Sequence, residues 1–206
     1  MRQIFAIAAL GLSLASTQAL AEEDIRNTEM FSRWRASNEP AVTEFSKHLD
    51  SVGLSGQVEF LELLRSASDW QRCEADPFAV PPAAQWPDVD SVLTLVRELR
   101  RIGVLGKFEV HSAYRNATLN QCADGAPKSS HLRSFAIDLS PRDGIDPGPA
   151  LCKFWQEQGR DWKMGLSRYP SGRIHIDTSG YRTWGADHTG KTAFCSAPPK
   201  PESASK

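Results

Sequence analysis

Two short stretches of strict alternation, Phe135-Ala136-Ile137-Asp138-Leu139 and Ile174-His175-Ile176-Asp177, constrain this 206-residue chain more than any other feature. Successive side chains of a strand point to opposite faces, so each stretch has an apolar face and a face of ionisable or small groups. Asp138 and His175 both turn away from the apolar side. They can meet on one face of a sheet, where Ala136 leaves room. A third stretch begins at Lys107, with Phe108 and Val110 alternating against Glu109 and His111, and residues 162–166 read as a further strand.

Before Lys107 the apolar period is helical. Val42, Phe45, Leu49 and Val52 fall on one helix face behind a polar start at Asn38-Glu39, and Gly53 stops it. Residues 57–67 predict a second helix with a broad apolar face. Residues 68–87 are irregular, and Trp70, Phe78 and Trp86 there predict a segment packed onto the domain. Val92, Leu95, Val96, Leu99 and Ile102 predict a third helix, capped by Asp88 or Asp90 and ended by Gly103 or Gly106. Asp146-Pro147 opens a last helix, to about Gly159, between the second and third strand candidates. The expected fold class is α+β, a small antiparallel sheet with flanking helices. Residues 22–106 form a helical region packed on the domain, 107–195 the core, and 196–206, rich in Pro, Ser and Lys, a loose tail.

Residues 1–21 have the pattern of a signal peptide: Arg2, an apolar run over 4–14, and small residues at Ala19 and Ala21. The run is shorter than the ~20 residues a membrane span requires, so no membrane anchor is expected after cleavage. Of the charged residues only Arg2 is lost, leaving 23 cations against 25 acids, a net charge of −2. That balance points to no nucleic acid or acidic membrane partner. Cys73, Cys122, Cys152 and Cys195 lack the close pairing of a zinc knuckle, and an even count in an exported chain predicts two disulfides, with three connectivities open.

A catalytic zinc needs three imidazole or carboxylate ligands and one open position. His131, in a Ser129-Ser130 turn just before the second strand, is placed to complete a set with Asp138 and His175. On spacing alone, surface histidines fit equally well.

Three motifs in order carry a family resemblance. Ser129-Ser130-His131-Leu132-Arg133-Ser134-Phe135-Ala136-Ile137-Asp138 resembles the SxHxxGxAxD signature of the M15 peptidase family, the zinc D-Ala-D-Ala carboxypeptidases and murein endopeptidases. Ser112-Ala113-Tyr114-Arg115 with Asn120 is similar to the family's SGYRS…N element. Tyr169-Pro170 and Ile174-His175-Ile176-Asp177-Thr178, with Arg182 and Trp184, are similar to the YP…FVHVDTG…RxW ending of its murein endopeptidase K branch. The resemblance covers about residues 107–185. It implies a hedgehog/DD-peptidase-like fold, Zn2+ on His131, Asp138 and His175, hydrolysis of peptide bonds in peptidoglycan stem peptides, and a periplasmic location. It further implies that Arg115 faces the cleft as a clamp for a substrate carboxylate or oxyanion, a salt bridge being the alternative. Ser129 either binds substrate or orders the His131 turn, and Tyr114 either donates to an oxyanion or packs.

Two departures bear on the chemistry. Ser134 and Ala113 stand where the pattern has Gly, and Ser134 is strained if that position needs a positive φ. Many family members carry Glu three positions before the last His, where this chain has Gly172; another branch has His two positions before, here Arg173. Asp177 is the remaining candidate general base, with orientation of a ligand imidazole as its other reading. His111 is a weaker candidate. The absent base keeps open a non-catalytic module that retains metal and binds peptidoglycan, and a metal-free domain held by disulfides is a third possibility.

Overall fold

A computed structural model describes residues 6–195 of the chain, with side chains from residue 26. The first five residues of the expected signal peptide and the expected tail, 196–206, lie outside the described residues. Helix α1, Ala6–Ser51, runs through Pro40 without a break, so the start expected at Asn38-Glu39 is not a helix boundary. Proline removes one backbone hydrogen bond there. The Asn38 side chain, donating to the Trp34 carbonyl at 2.8 Å, and the Arg35–Glu39 pair bridge the same stretch. The chain divides into two compact units, Met1–Thr43 and Glu44–Lys206; residues 44–106 thus belong with the sheet.

Within the second unit, α2 covers only Phe60–Leu63, far less than the helix expected over 57–67. Tertiary hydrogen bonds claim the rest. Arg65 bridges Phe78, Ala79 N donates to Leu64 O at 2.8 Å, and Ala113 N donates to Arg65 O at 2.9 Å. A backbone already paired in this way cannot also close helical turns.

Helix α3, Trp86–Arg101, has Pro87 and Asp88 in its first turn, and no side chain caps it. Asp90 is occupied instead by His48 Nε2 at 2.9 Å. Gly103 beyond its end takes φ 75°, the expected left-handed stop. Its buried face, Val89, Val92, Leu93, Leu95, Val96 and Leu99, packs toward the sheet. Each such side chain contributes about 1.5–3 kcal/mol of burial.

The sheet comprises β1 (Phe108–Ser112), β2 (Ala136–Pro141), β3 (Gly165–Arg168), β4 (Ile174–Asp177) and β5 (Arg182–Trp184). Its order is β1-β2-β4-β3-β5. Helix α4, Ala117–Cys122, follows β1, and α5, Gly148–Glu157, links β2 to β3. The three pairings β1·β2, β2·β4 and β4·β3 are antiparallel as expected, but β5 runs parallel to β3, so the sheet is mixed. No alternation marks β5 in the sequence. Its placement follows from Arg182, whose guanidinium is tied to Asp177 at the end of β4. Val110, Ile137, Leu139, Leu166, Ile174 and Ile176 are buried in the core.

Disulfides join Cys73 to Cys122 and Cys152 to Cys195, selecting one of the three connectivities. Among the described residues no helix is long and apolar enough to cross a membrane.

Candidate metal centre

Sheet register builds the centre. Asp138 and His175 are direct partners across β2 and β4, and the same row continues to Ser112 on β1 and Ser167 on β3. Side chains opposite each other in adjacent strands lie on the same face. The expected meeting of Asp138 with His175 is therefore a consequence of pairing. Unlike the polar face of an edge sheet, this one is covered: Asp138, His175 and Asp177 are all buried.

His131 reaches the row from a 3-10 turn, Ser130–Arg133. Three bonds place it. The Ser129 hydroxyl accepts from His131 N at 3.3 Å, Arg115 N donates to His131 O at 3.1 Å, and His131 Nδ1 donates to the Ala113 carbonyl at 2.6 Å. Ser134 ends the turn at φ 62°, so the position where the family pattern has Gly does need the left-handed region. A non-glycine there costs about 1–2 kcal/mol, partly offset by a bond from Ser134 Oγ to Gln85 at 2.8 Å.

The three residues bring ligand atoms within 4.8 Å of one another. Because a carbonyl can only accept, the Ala113 bond puts the His131 proton on Nδ1 and leaves a lone pair on Nε2. Burial lowers the His131 pKa despite the nearby Asp138 carboxylate, so the ring stays neutral. Its Nε2 is buried, has no hydrogen-bond partner, and sits 3.2 Å from Asp138 Oδ2. Two facing acceptors at that distance repel unless a cation lies between them. Burial opposes the charge on Asp138 too, yet its carboxyl lies well below the usual carboxylate range, held there by the His175 imidazolium at 2.9 Å. Tetrahedral ligands at 2.0–2.1 Å from an ion stand about 3.3 Å apart, close to the spacing seen here. These residues fit a metal ion.

His175 has carboxylates at both nitrogens: Asp138 Oδ1 2.9 Å from Nδ1 and Asp177 Oδ2 2.8 Å from Nε2. Burial works against its protonation, but the bonds to Asp138 and Asp177 prevail and push its pKa up to about 9. With Nε2 held by Asp177, the nitrogen available to a metal is Nδ1.

Asp177 is fully buried and saturated. It accepts from His175 Nε2, from both terminal nitrogens of Arg182 at 3.0 and 2.7 Å, and from Ser179 N and Oγ at 2.8 Å each. Two carboxylate oxygens offer about four lone-pair sites. Little capacity remains for a proton from water, and the contact with His175 is that of an orienting group. Gly165 makes room for it, since a Cβ at that position would fall 2.2 Å from Asp177 Oδ2.

A cleft of about 640 Å³ opens over the cluster, lined by Arg115, Ser129, Asp138, Tyr169, Arg173 and His175 among others. Arg115 faces it as expected, with Nη2 donating to Asp138 Oδ2 at 3.2 Å, so the salt-bridge reading holds alongside exposure to the cleft. Ser129 lines the cleft and orders the His131 turn. Tyr114 does not line it, and His111 bonds Ser140 Oγ at 2.7 Å, outside it. Gly172, at the position of the absent Glu, is in the β3–β4 turn at φ 87° with its N bonded to Tyr169 O.

Sequence reasoning assigned no role to Tyr169, Arg182 or Trp184, although all three fell within the quoted motif. The Tyr169 hydroxyl donates to Asp138 Oδ1 at 3.1 Å and lies 3.3 Å from His175 Nδ1; burial and the Asp138 charge raise its pKa, so it stays a phenol. The Trp184 ring meets His175 edge-on at 5.1 Å, with Arg182 over its face at 4.7 Å. No protein-family model, curated protein or solved structure matches the chain.

Proposed function

We propose that this chain is a zinc-dependent peptidase acting on peptide bonds of bacterial peptidoglycan, a murein endopeptidase or D,D-carboxypeptidase of hedgehog/DD-peptidase fold. The observation that carries the metal part is the buried, unpartnered His131 Nε2 facing Asp138 Oδ2 at the foot of an open cleft. The substrate class rests on the motif resemblance. Export to the periplasm fits the leader pattern and the two disulfides, which persist in oxidising compartments.

Zinc held by His131, Asp138 and His175 supplies Lewis acidity toward a peptide carbonyl. The chain's own groups do the rest. Ala113 sets the His131 tautomer, Asp177 sets that of His175, and Arg182 with Ser179 holds Asp177 in place. Arg115 presents its guanidinium beside Asp138, where it faces a substrate carboxylate or developing oxyanion.

A second reading, a module that retains the metal and binds peptidoglycan without cleaving it, is favoured by the glycine at position 172 and the saturation of Asp177. Purified murein separates the two. A peptidase releases muropeptides identifiable by mass, stops on chelation and recovers with zinc. One bound zinc with no released product supports the binding module and refutes the peptidase.

A further inference from the structure

With Asp177 saturated and Gly172 and Arg173 at the usual base positions, the polar groups left beside the ligand atoms decide what the centre does to a substrate oxygen. Three of the cleft's serine hydroxyls are held by protein groups. Ser112 Oγ donates to Ser66 O at 2.6 Å, Ser130 Oγ joins Ser179 and Arg182, and Ser129 Oγ accepts from His131 N. The Arg173 guanidinium is drawn to Ser68 Oγ at 2.5 Å.

Tyr169 differs in two ways. Its hydroxyl contacts the ligand atoms Asp138 Oδ1 and His175 Nδ1, with the Arg115 guanidinium beside it, and the residue faces the cleft. Its position is also fixed from outside the cluster. Tyr169 N donates to Arg173 O, and Tyr169 O accepts from Gly172 N, both at 2.9 Å, while the ring stands edge-on to His175 at 87°. The hairpin thus aims the hydroxyl whether or not a cation is bound.

We infer that Tyr169 is the hydrogen-bond donor to the substrate carbonyl oxygen at this centre. The inference rests on the peptidase reading and gives that site a neutral oxyanion donor beside the Arg115 guanidinium. Without a cation the O–H is spent on Asp138. With a cation held by Asp138 and His175, the carboxylate would be a weaker acceptor and His175 Nδ1 would no longer be open to the hydroxyl. Rotation about the Cζ–O bond then turns the O–H toward an oxygen entering from the cleft. A fixed donor of this kind stabilises charge as it develops on the carbonyl oxygen and needs no proton transfer.

The test is Tyr169→Phe in the full chain, with three measurements: zinc affinity by chelator competition, acetohydroxamate affinity from the visible spectrum of the cobalt-substituted protein, and kcat on murein. Acetohydroxamate is a small carbonyl-bearing metal ligand, so its binding needs no peptide specificity. The expected result is zinc affinity within about threefold of wild type, hydroxamate binding weaker by about tenfold or more, and kcat down about 10²-fold. Unchanged hydroxamate affinity overturns the inference. So does a 10–100-fold loss of zinc affinity, which marks Tyr169 as a positioning residue for Asp138. If wild-type protein binds hydroxamate yet releases no muropeptide, the peptidase reading fails and the hydroxamate comparison alone judges Tyr169. Should Tyr169→Phe not fold, 3-fluorotyrosine at 169 keeps ring and hydroxyl and makes a stronger donor. Tighter hydroxamate binding is then expected, and no change refutes the role.

Discussion

Gly165→Ala isolates the support beneath the metal ligands. Glycine to alanine within a strand ordinarily stabilises, by about 0.4–1 kcal/mol, through the entropy of the unfolded chain. Gly165 does not use a left-handed φ, so its backbone accepts alanine. Space does not. The new Cβ would stand 2.2 Å from Asp177 Oδ2, 2.6 Å from Cγ and 2.7 Å from Oδ1. Restoring a contact of about 3.4 Å requires the carboxylate to move by roughly 1 Å, far enough to stretch its 2.8 Å bond to His175 Nε2 beyond hydrogen-bonding range. Because Asp177 is fully buried and held by five bonds, it cannot swing into water. Overpacking of this kind costs about 1–3 kcal/mol. Less the entropic gain, the net loss is about 1–2 kcal/mol, or about 2–8 °C in Tm for a domain of this size. Zinc affinity should fall as well, by about 10–100-fold, because the His175 imidazole loses its orienting partner. Differential scanning calorimetry of metal-free protein and chelator competition measure the two effects separately. A variant as stable as wild type with unaltered zinc affinity would refute both the packing and the role given to Asp177.

Asp177→Asn should lower zinc affinity about 10–100-fold, since the amide no longer fixes the His175 tautomer; full retention of zinc with loss of turnover would instead identify Asp177 as the base. Zinc binding should also depend on pH. The His175 pKa of about 9 lies above its ordinary 6.5, so its protonation stabilises the metal-free protein fully below pH 6.5, and that stabilisation disappears as pH rises through 9. Zinc replaces the Nδ1 proton, so affinity should climb with pH by up to tenfold per unit and level off above about pH 9. Isothermal titration in buffers of different ionisation enthalpy would show the released proton, and a flat profile between pH 6.5 and 9 contradicts the assigned ligand atom.

Period and chemistry made part of this molecule legible in advance. Alternation in residues 135–139 and 174–177 announced strands, and their polar members, Asp138 and His175, proved to be cross-strand partners. Helical spacing in α3 and the glycine after it were equally readable. Failures occurred where a distant segment competed. Residues 64–67 have a helical pattern, but their backbone pairs with residues 77–79 and with Ala113. Asp90 had the chemistry of a cap and was taken by His48. Tyr114 was the tyrosine expected at the cleft, and the β3–β4 hairpin places Tyr169 there instead.

The amino-acid order alone settled which faces are apolar, where ionisable side chains interrupt the strands, and that His131, Asp138 and His175 are of ligand type, because these are local properties of period and functional group. Folding decided the parallel attachment of β5, the cysteine pairing and the assignment of Asp177 to His175 and Arg182. Each of these depends on which segment reaches a given hydrogen-bonding group first in space, and separation along the chain carries no record of that.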